Sequence, residues 1–444
     1  MTSATLSMLS TKTLLTSIMD EKVDIERLAL RSGLVVGGRS RKRQITYASL
    51  VAFALLSAAS VLLRSGAFTY SRNCTSHLSP LEQVLAQAPL TDGHNDFPIW
   101  TRAYYQNHIY QANFTSEGDL YGQVDFPRLQ QGRLGAQFWS AYVECPRTPY
   151  TAANDSEDLY HEIIRDSFQQ IDLVHRMIEH FPAHLVPASS AADIVHNFRT
   201  SPGRISSLLG IEGLHQIGTS ASVLRMYHRL GVRYATLTHT CHNHYADSEA
   251  PSAPQHNGLS PAGEAIVAEM NRLGMIVDIS HTSFATQRAV LALSRAPVMY
   301  SHSSAYSVCP HSRNVPDDIL KTLQKNDGII MITFYPEFTN CESADKASLS
   351  DVADHIQYVG NLIGYRHVGL GSDFDGMAHG MRGLEDVSKY PDLIQELLDR
   401  GVCVDDLVGV IGGNVLRVLA AVEDVAHNSR HILPLEDDIK PFFK

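Results

Sequence analysis

Short apolar runs alternate with longer amphipathic stretches from about residue 81 to residue 425. Eight of the runs have the length and apolar content of buried strands: Leu90–Asp96, Ala136–Val143, Ile205–Glu212, Tyr234–His239, Met275–His281, Val298–His302, Ile329–Tyr335 and Val368–Asp373. Helical spacing of apolar residues fills most of the gaps, at Glu157–His180, Ala221–Leu230, Gly263–Leu273, Ser283–Leu293, Pro316–Lys325 and Leu349–Ile363. Two more helical patterns, Asp392–Arg400 and Asp405–Val422, follow the last strand, and the link after the first strand has the least regular pattern.

This alternation predicts an α/β fold with a parallel sheet. Eight strand–helix repeats over about 300 residues favour a closed (β/α)8 barrel of the TIM type. A doubly wound open sheet is the alternative, but no G-x-G-x-x-G motif follows a predicted strand to support a dinucleotide-binding fold. In a (β/α)8 barrel the chemistry lies at the carboxyl ends of the strands, so candidate residues are sought there.

One apolar run is longer than any strand: Ile45–Leu63 comprises 19 residues without a charge and would span about 28 Å as a helix. A cluster of basic residues precedes it (Arg39, Arg41, Lys42 and Arg43), whereas Arg64 and Arg72 follow. The positive-inside rule then predicts a single-pass type II membrane protein with a lumenal or extracellular body. The domains expected are a disordered cytosolic tail (1–44), a transmembrane signal-anchor (45–63), a stalk (64–80) and a catalytic domain (81–444). A buried core helix is the alternative for 45–63.

Two other features agree with a body outside the cytosol. Three N-x-S/T sequons, at Asn73, Asn113 and Asn154, and all six cysteines lie after the apolar span. Composition is that of an ordinary globular protein, with 44% hydrophobic and 19% charged residues. The formal net charge of -11, with no basic block in the body, excludes nucleic acid as an expected partner.

The predicted strand ends are rich in metal-ligand residue types. The first carries His94 and Asp96, whose i, i+2 spacing places both side chains on one side of a strand. The other strand ends supply Glu212, His239, His281, His302 and Asp373. Buried imidazoles and carboxylates are costly unless they are paired or bind a metal. Nitrogen and oxygen ligands without a thiolate suit zinc or a similar first-row metal. The set exceeds the needs of one ion, so we expect two ions, Zn²⁺ by preference, that share a bridging carboxylate and a hydroxide nucleophile.

The motifs around these residues resemble those of the membrane (renal-type) dipeptidases, a family of binuclear zinc peptidases with an amidohydrolase-like barrel. The shared motifs occur in order over about residues 81–425: DGHND (92–96), GIEG (210–213), TLTH (236–239), DISH (278–281), SHSSA (301–305), RNVPDD (313–318), GSDFDG (371–376) and GLEDVSKYPDL (383–393). The resemblance implies zinc-dependent hydrolysis of dipeptides to free amino acids, with a homodimer as an open expectation.

The resemblance also assigns roles to individual residues. It implies that His94 and Asp96 bind one zinc ion, His281 and His302 bind the other, and Glu212 bridges them. It makes His239 the residue that positions the substrate, Arg313 the partner of the substrate carboxylate, and Asp373 the catalytic acid–base residue that also meets the substrate ammonium. It pairs Cys145 with Cys241 and Cys309 with Cys341, which leaves Cys74 and Cys403 unassigned.

Several nearby residues compete for these roles. We expect His242 and His244 to be exposed loop residues, His215 to support the site or lie on the surface, Asp375 to rank behind Asp373, and His311 to shape the pocket beside Arg313. Two rival functions stay open. The same amidase chemistry could serve a specialised substrate, such as a cysteinylglycine conjugate in secondary metabolism, or the body could be a non-catalytic ectodomain that binds a partner.

Overall fold

Nine parallel strands lie at the centre of the computed structural model, which describes residues 78–151, 157–251 and 253–438. The strands are β1 (Leu90–Asn95), β2 (Leu134–Ser140), β3 (Leu185–Pro187), β4 (Ile205–Glu212), β5 (Val232–Thr236), β6 (Ile276–Asp278), β7 (Met299–Ser303), β8 (Ile329–Ile332) and β9 (Val368–Leu370). Their residues are almost all buried, as expected when both faces of a parallel sheet are covered.

Eight of these strands close into a barrel. The hydrogen-bonded order is β2-β1-β9-β8-β7-β6-β5-β4, and β2 also pairs with β4, so the ring has no free edge. The predicted (β/α)8 barrel is therefore confirmed. Strand β3 was not predicted. It lies outside the ring and pairs only with the first residues of β4, and its three residues are too few to give an alternating or apolar pattern.

Helices follow most of the strands. They are α1 (Pro80–Gln87), α2 (Phe97–Tyr105), α3 (Phe126–Gln131), α4 (His161–His180), α5 (Ala191–Thr200), α6 (Ala221–Arg229), α7 (Pro261–Leu273), α8 (Phe284–Leu293), α9 (Asp317–Lys325), α10 (Pro336–Thr339), α11 (Leu349–Ile363), α12 (Tyr390–Asp399), α13 (Val404–Val408) and α14 (Asn414–Asn428). Local sequence sets their ends. For α7, the Ser260 side chain accepts from Gly263 N, Pro261 occupies the first turn, and Gly274 ends the helix with φ 82°.

The predicted helix Asp405–Val422 is interrupted. A π-helical turn at Gly409–Gly413 separates α13 from α14. The backbone at Gly412 approaches β1 so closely that a Cβ there would lie 2.0 Å from the carbonyl oxygen of Pro89. The apolar periodicity continues through this turn, and a prediction based on periodicity alone therefore misses the break.

The barrel interior is filled with apolar side chains. One buried cluster draws residues from β2, β4, β5, β6, β7 and β8, so it lies inside the ring, and side chains of α14 join it. Tyr234 of β5 belongs to this cluster, and its ring lies beside the backbone of Gly210, where a Cβ would be only 2.1 Å from the tyrosine Cζ. Glycine at position 210 therefore makes room for a tyrosine inside the barrel.

The predictions for the N-terminal region fall mostly outside the described residues. These include the tail, the signal-anchor, Asn73 and Asn154, and of the predicted stalk only 78–80 is described, with Pro80 already starting α1. Asn113 lies exposed in a turn. None of the helices within the described ranges combines the length and the apolar character needed to cross a bilayer.

Candidate active site

The strand ends bring six of the predicted site residues into one buried cluster. His94 belongs to β1 and Asp96 follows it, Glu212 ends β4, His302 lies in β7, and His281 and Asp373 follow β6 and β9. All six are between 0% and 9% exposed. His239 follows β5 and lies at the edge of the cluster, with its Nε2 4.0 Å from Oε1 of Glu212. The barrel thus gathers residues that are up to 279 positions apart in the chain, from His94 to Asp373.

Glu212 lies at the centre of the cluster. Its Oε1 is 3.1 Å from Nε2 of His281, 3.2 Å from Nε2 of His302 and 3.6 Å from Nε2 of His94. Nε2 of His94 is also 3.2 Å from Oδ2 of Asp96. One carboxylate oxygen therefore faces three imidazole nitrogens that come from different strands.

These separations fit a metal site. Zinc bonds of 2.0–2.1 Å in tetrahedral geometry hold neighbouring ligand atoms about 3.3 Å apart. The ligand atoms of His94, Glu212 and His302 form one compact group, those of Glu212, His239 and His281 a second, and those of His94, Asp96 and Asp373 a third. Within the cluster, Oδ1 of Asp96 is buried and has no hydrogen-bond partner. The donor set, which contains no sulfur, is the one expected for zinc or a similar first-row metal.

The electrostatics of the cluster favour an added cation. Burial lowers the pKa values of His239, His281 and His302 well below the ordinary value, which keeps these imidazoles neutral with a lone pair to offer. Burial also acts to lower the pKa of His94, but the charges of Glu212 and Asp96 outweigh it and raise that pKa to about 10. Negative charge that can hold a proton on a buried imidazole can hold a metal ion in its place.

Backbone strain occurs at two of the candidate residues. His281 and Asp373 adopt φ values of 60° and 65°, a left-handed conformation that is uncommon for residues other than glycine. Such strain concentrates at functional sites, where the surrounding structure enforces it. Gly376 completes the turn after Asp373, and a Cβ there would lie 2.1 Å from Oδ1 of Asp373 and 2.6 Å from Oδ2 of Asp96. The absence of a side chain at position 376 lets both carboxylates enter the site.

Asp373 and Arg313 flank the cluster with opposite charges. Burial, and secondarily the Asp96 carboxylate, raises the pKa of Asp373 to about 7, so this carboxyl can gain or lose a proton near neutral pH. The Arg313 guanidinium is 4% exposed, and it donates to the His302 carbonyl at 3.2 Å and to Oγ of Ser303 at 3.4 Å. Its Nε is buried without a partner. Arg313 therefore has spare donors beside the cluster.

Two tyrosines that were not predicted from the sequence contact the cluster. The Tyr234 hydroxyl is 2.7 Å from Nδ1 of His94, and the Tyr142 ring packs against the His239 ring with centroids 4.7 Å apart. Burial raises the pKa values of both phenols, which therefore stay neutral. Neither lies in a motif that marks metal ligands. Tyr234 carries one available signal, because it is the first residue of the predicted strand Tyr234–His239, whose end faces the site.

The competing residues have structural roles. His242 is buried, not exposed as predicted. Its Nε2 donates to the Ala253 carbonyl and its Nδ1 accepts from Ser248 N, which fixes the loop after β5. His244 is half-buried. His215 is fully buried and bonds to the Val143 carbonyl at 2.7 Å, which excludes the surface role.

The two remaining competitors lie near the cluster but outside it. Asp375 accepts from Gln123 N and belongs to none of the metal-competent groups among the described residues. The His311 ring packs against Phe338 at a tilt, and the Phe338 ring also faces Arg313, so His311 lies beside the residue predicted to bind the substrate carboxylate.

Both disulfides implied by the resemblance are present. Cys145 pairs with Cys241, which ties the loop after β2 to the loop after β5, and Cys309 pairs with Cys341, which ties the loops after β7 and β8. The first bond removes the two sulfurs beside His215 from metal binding. Cys403 is a free, exposed cysteine. The disulfides thus brace loops at the same end of the barrel as the cluster.

Known proteins with similar sequences are described as dipeptidases. "Dipeptidase aclJ" from Aspergillus oryzae is 70% identical over 435 residues, which covers 96% of this chain and 100% of that protein. "Dipeptidase tcpJ" from Claviceps purpurea is 50% identical over 351 residues, covering 79% of this chain and 81% of that protein. The chain is therefore similar to these two dipeptidases over most of their length.

Solved structures agree on the fold. The probable dipeptidase PvdM from Pseudomonas aeruginosa superposes with a TM-score of 0.70 at 22% identity, covering 80% of this chain and 100% of that chain. A metallopeptidase from Rhodobacter sphaeroides, solved with a phosphinate mimic of the dipeptide L-Ala-D-Ala, gives a TM-score of 0.65 at 24% identity over 76% and 99% of the two chains. The sequence model of one family, described as membrane dipeptidase (peptidase family M19), matches residues 78–432. With the buried ligand cluster at the strand ends, these findings identify the chain as a metallo-dipeptidase that belongs to peptidase family M19.

Proposed function

We propose that the protein is a binuclear zinc dipeptidase whose metal ligands are His94, Asp96, Glu212, His281 and His302. The observation that carries the proposal is the position of Glu212, whose Oε1 faces three imidazole nitrogens at 3.1, 3.2 and 3.6 Å. Five nitrogen- and oxygen-bearing side chains around a shared carboxylate exceed the ligand set of one catalytic zinc, which keeps a position open for water. Two ions with Glu212 between them use the whole set.

The bound ions would supply Lewis acidity toward the scissile carbonyl and lower the pKa of water near them. The side chains around them complete the chemistry. Asp373, with its pKa near neutrality, accepts a proton from the attacking water and passes it to the leaving amine. His239, kept neutral by burial, donates a hydrogen bond to the oxygen that develops negative charge.

Substrate length follows from two groups of opposite charge beside the cluster, Arg313 and Asp373. Arg313 carries spare N–H donors and suits the planar carboxylate at the end of a peptide. Asp373 suits the ammonium at the other end. Only a dipeptide presents both charges one residue away from a single peptide bond, and we therefore infer that free dipeptides are the preferred substrates.

Metal analysis and a hydrolysis assay test this proposal together. Purified full-length protein should contain about two zinc ions per chain by inductively coupled plasma mass spectrometry. It should hydrolyse free dipeptides, stop after treatment with a chelator, and recover when zinc is restored. Full activity in protein that contains only trace metal would refute the binuclear proposal.

An exposed aromatic group favours a specialised substrate as the second candidate. Trp100, Tyr104 and Tyr121, here called the aromatic shelf, stack with ring centroids 5.0 Å apart for Trp100 and Tyr104 and 3.7 Å for Tyr104 and Tyr121. Both tyrosines are about half exposed. The Trp100 indole donates to the carbonyl of Asp375, which fastens the shelf two residues from Asp373. A flat group on the amino-terminal residue of a dipeptide would meet these rings.

Paired substrates test this candidate. An S-benzyl cysteinylglycine conjugate and alanylglycine share the two terminal charges and differ in the aromatic group. If the shelf selects conjugates, the ratio of their kcat/KM values favours the conjugate, and Tyr104→Ala lowers that ratio without lowering kcat/KM for alanylglycine. An unchanged ratio in the variant would reject the shelf as a specificity element.

We also propose the type II topology, with residues 1–44 in the cytosol and Ile45–Leu63 as the signal-anchor. The support is the charge-free run with its basic flank and the exposed position of Asn113, one of the three sequons. Glycosidase treatment of the full-length protein should increase its gel mobility, and replacing Asn73, Asn113 and Asn154 together should abolish the shift. A body cleaved by protease only from the cytosolic side would overturn this topology. Light scattering of the purified protein would test the expected homodimer.

A further inference from the structure

We propose that Asp278 and Ser301 are positioning residues that hold the His302 imidazole in the tautomer with its proton on Nδ1. In this tautomer Nε2 carries no proton and faces the buried cluster of proposed ligands. The inference rests on the proposed metal site and adds a reason why His302 is ready to bind an ion before the ion arrives.

Asp278 is a fully buried carboxylate that the proposed reaction does not use. Its Oδ1 lies 3.1 Å from the backbone nitrogen of Ser280 and 2.9 Å from that of Ser301, and it accepts from both. Its Oδ2 accepts from the hydroxyls of Thr236 at 2.5 Å and Ser301 at 2.6 Å. Backbone N–H groups can only donate, so Oδ1 must be an acceptor. An ionised carboxylate, which only accepts, satisfies all four contacts at once.

The direction of the Ser301 hydrogen bonds follows from its single proton. Because that proton goes to Asp278, Oγ of Ser301 can only accept from its other neighbours. Nδ1 of His302 lies 2.8 Å from this oxygen and must therefore donate to it. Oγ of Ser280, 3.4 Å away, can donate as well, because Ser280 already accepts from the backbone nitrogen of His302 at 3.2 Å. Every polar contact of Ser301 is consistent with a proton on Nδ1 of His302.

The tautomer matters because a metal binds the nitrogen that carries no proton. Nε2 of His302 lies 3.2 Å from Oε1 of Glu212 and 2.8 Å from Nε2 of His281, so it is the atom that faces the cluster. In ligating histidines generally, the hydrogen bond made by the other ring nitrogen sets which nitrogen is metallated. Here the carboxylate acts through a serine, so Asp278 controls His302 without touching it.

A second carboxylate provides a matched control. Oδ1 of Asp92 accepts from the backbone nitrogens of His94 at 3.2 Å and Ser372 at 2.8 Å. Its Oδ2 accepts from the hydroxyls of Ser372 and Tyr390, each at 2.7 Å. This is the same set of two backbone donors and two hydroxyl donors, in an equally buried position. The residue after Ser372 is Asp373, however, which has no tautomer to control.

The informative substitution is Asp278→Asn. An asparagine can keep the two backbone bonds through its oxygen, and its NH2 group can donate to the hydroxyls of Thr236 and Ser301. The Ser301 proton is then free to point at Nδ1 of His302, which moves the imidazole proton to Nε2. Ser301→Ala removes the acceptor altogether, Ser301→Thr restores a hydroxyl, and Asp92→Asn makes the same chemical change at the matched position.

Two measurements on the full-length protein separate positioning from stability. The first is the 15N chemical shifts of the His302 ring in metal-free protein, assigned by comparison with His302→Gln, which report the tautomer directly. The second is zinc affinity by competition with a chelator. Asp278→Asn should move the His302 proton to Nε2, and both Asp278→Asn and Ser301→Ala should weaken the binding of one of the two zinc ions by about 10- to 100-fold. Ser301→Thr should retain most of the affinity.

Several outcomes would overturn the inference. A wild-type His302 with its proton on Nε2 in the metal-free protein would refute it at once. So would a folded Asp278→Asn protein with wild-type tautomer and zinc affinity, or an Asp92→Asn protein that shifts the His302 tautomer equally. The tautomer is measured in metal-free protein, so its result does not depend on zinc binding. A wild-type chain that binds no zinc would refute the proposed function, whereas the 15N shifts would still test whether Asp278 and Ser301 set the His302 tautomer.

Discussion

Replacing Arg313 with alanine should remove recognition of the substrate carboxylate while the metal cluster stays intact. The Arg313 guanidinium is 4% exposed, lies 5.3 Å from the centre of the Phe338 ring, and has no carboxylate within ion-pair distance among the described residues. A buried charge with spare donors gains most from a ligand of opposite charge. Removing one partner of such a pair costs about 2–5 kcal/mol, which is about 30-fold to several thousand-fold in kcat/KM.

Four kcat/KM values form a cycle that tests this reasoning: wild type and Arg313→Ala, each with a free dipeptide and with its C-terminal amide. The wild type should lose about 30-fold or more on the amide, and Arg313→Ala should lose a similar factor on the free dipeptide. On the amide the variant should lose little further, since the charge that it would bind is already absent. Arg313→Lys, which keeps the charge but not the planar fork, should fall between the two.

The cycle has a clear refuting result. If Arg313→Ala lowers kcat/KM equally for the acid and the amide, the guanidinium stabilises the structure of the site but does not bind the substrate carboxylate. If the wild type hydrolyses the amide as well as the acid, the two-ended recognition of dipeptides is wrong. The thermal midpoint and the zinc content of the variant serve as controls, and both should match the wild type.

Three further predictions concern the cluster and the barrel. Glu212→Gln should reduce bound zinc below two per chain and lower kcat by at least about 100-fold, because the shared carboxylate charge is lost. A variant with the zinc content of the wild type would contradict the bridging role. Gly376→Ala should abolish most activity with a nearly unchanged thermal midpoint, because the added methyl would lie 2.1 Å from Oδ1 of Asp373, and full activity would contradict that close packing. Burial lowers the pKa of His355 to about 4, below the ordinary value of 6.5. Between these two pH values the unfolded chain binds more protons than the folded protein does, so the free energy of unfolding should fall as the pH drops from about 6.5 to 4. The loss from this residue should reach about 3 kcal/mol. In urea denaturation, the free energy of unfolding should depend less steeply on pH for His355→Gln than for the wild type. An unchanged pH dependence would contradict this role of His355.

The barrel and its ligand cluster could be predicted because both leave strong local signals. Fully buried parallel strands appear as apolar runs, and the site residues lie at the carboxyl ends of those runs, as His302 in β7 and Asp373 after β9 do. Strand β3 left no signal because three residues are too few for a period. The burial of His242 could not be predicted either, since its hydrogen bonds depend on how the loop after β5 folds back on itself.

The supporting contacts were the least predictable part of the site. Asp278 and Ser301 lie within the motifs DISH (278–281) and SHSSA (301–305), but nothing in the two motifs indicates that these residues are in contact. Their contact exists only because β6 and β7 are neighbours in the closed ring, with Asp278 opposite Met299 in register. The stacking of Tyr121 on Tyr104 likewise depends on a loop path that has no periodicity.

Tyr234 gives the barrel interior a direct effect on the metal site. Its ring packs on Phe138 inside the barrel, with centroids 5.5 Å apart, and its hydroxyl meets Nδ1 of His94 at 2.7 Å. We therefore expect a conservative apolar change at Phe138 to alter the orientation of His94, a proposed metal ligand, as well as the packing. In a mutational screen scored by activity, such interior positions would be counted together with the catalytic residues. A change of substrate preference is therefore easier to accommodate in the loops, because a change in the interior also displaces His94, one of the proposed metal ligands.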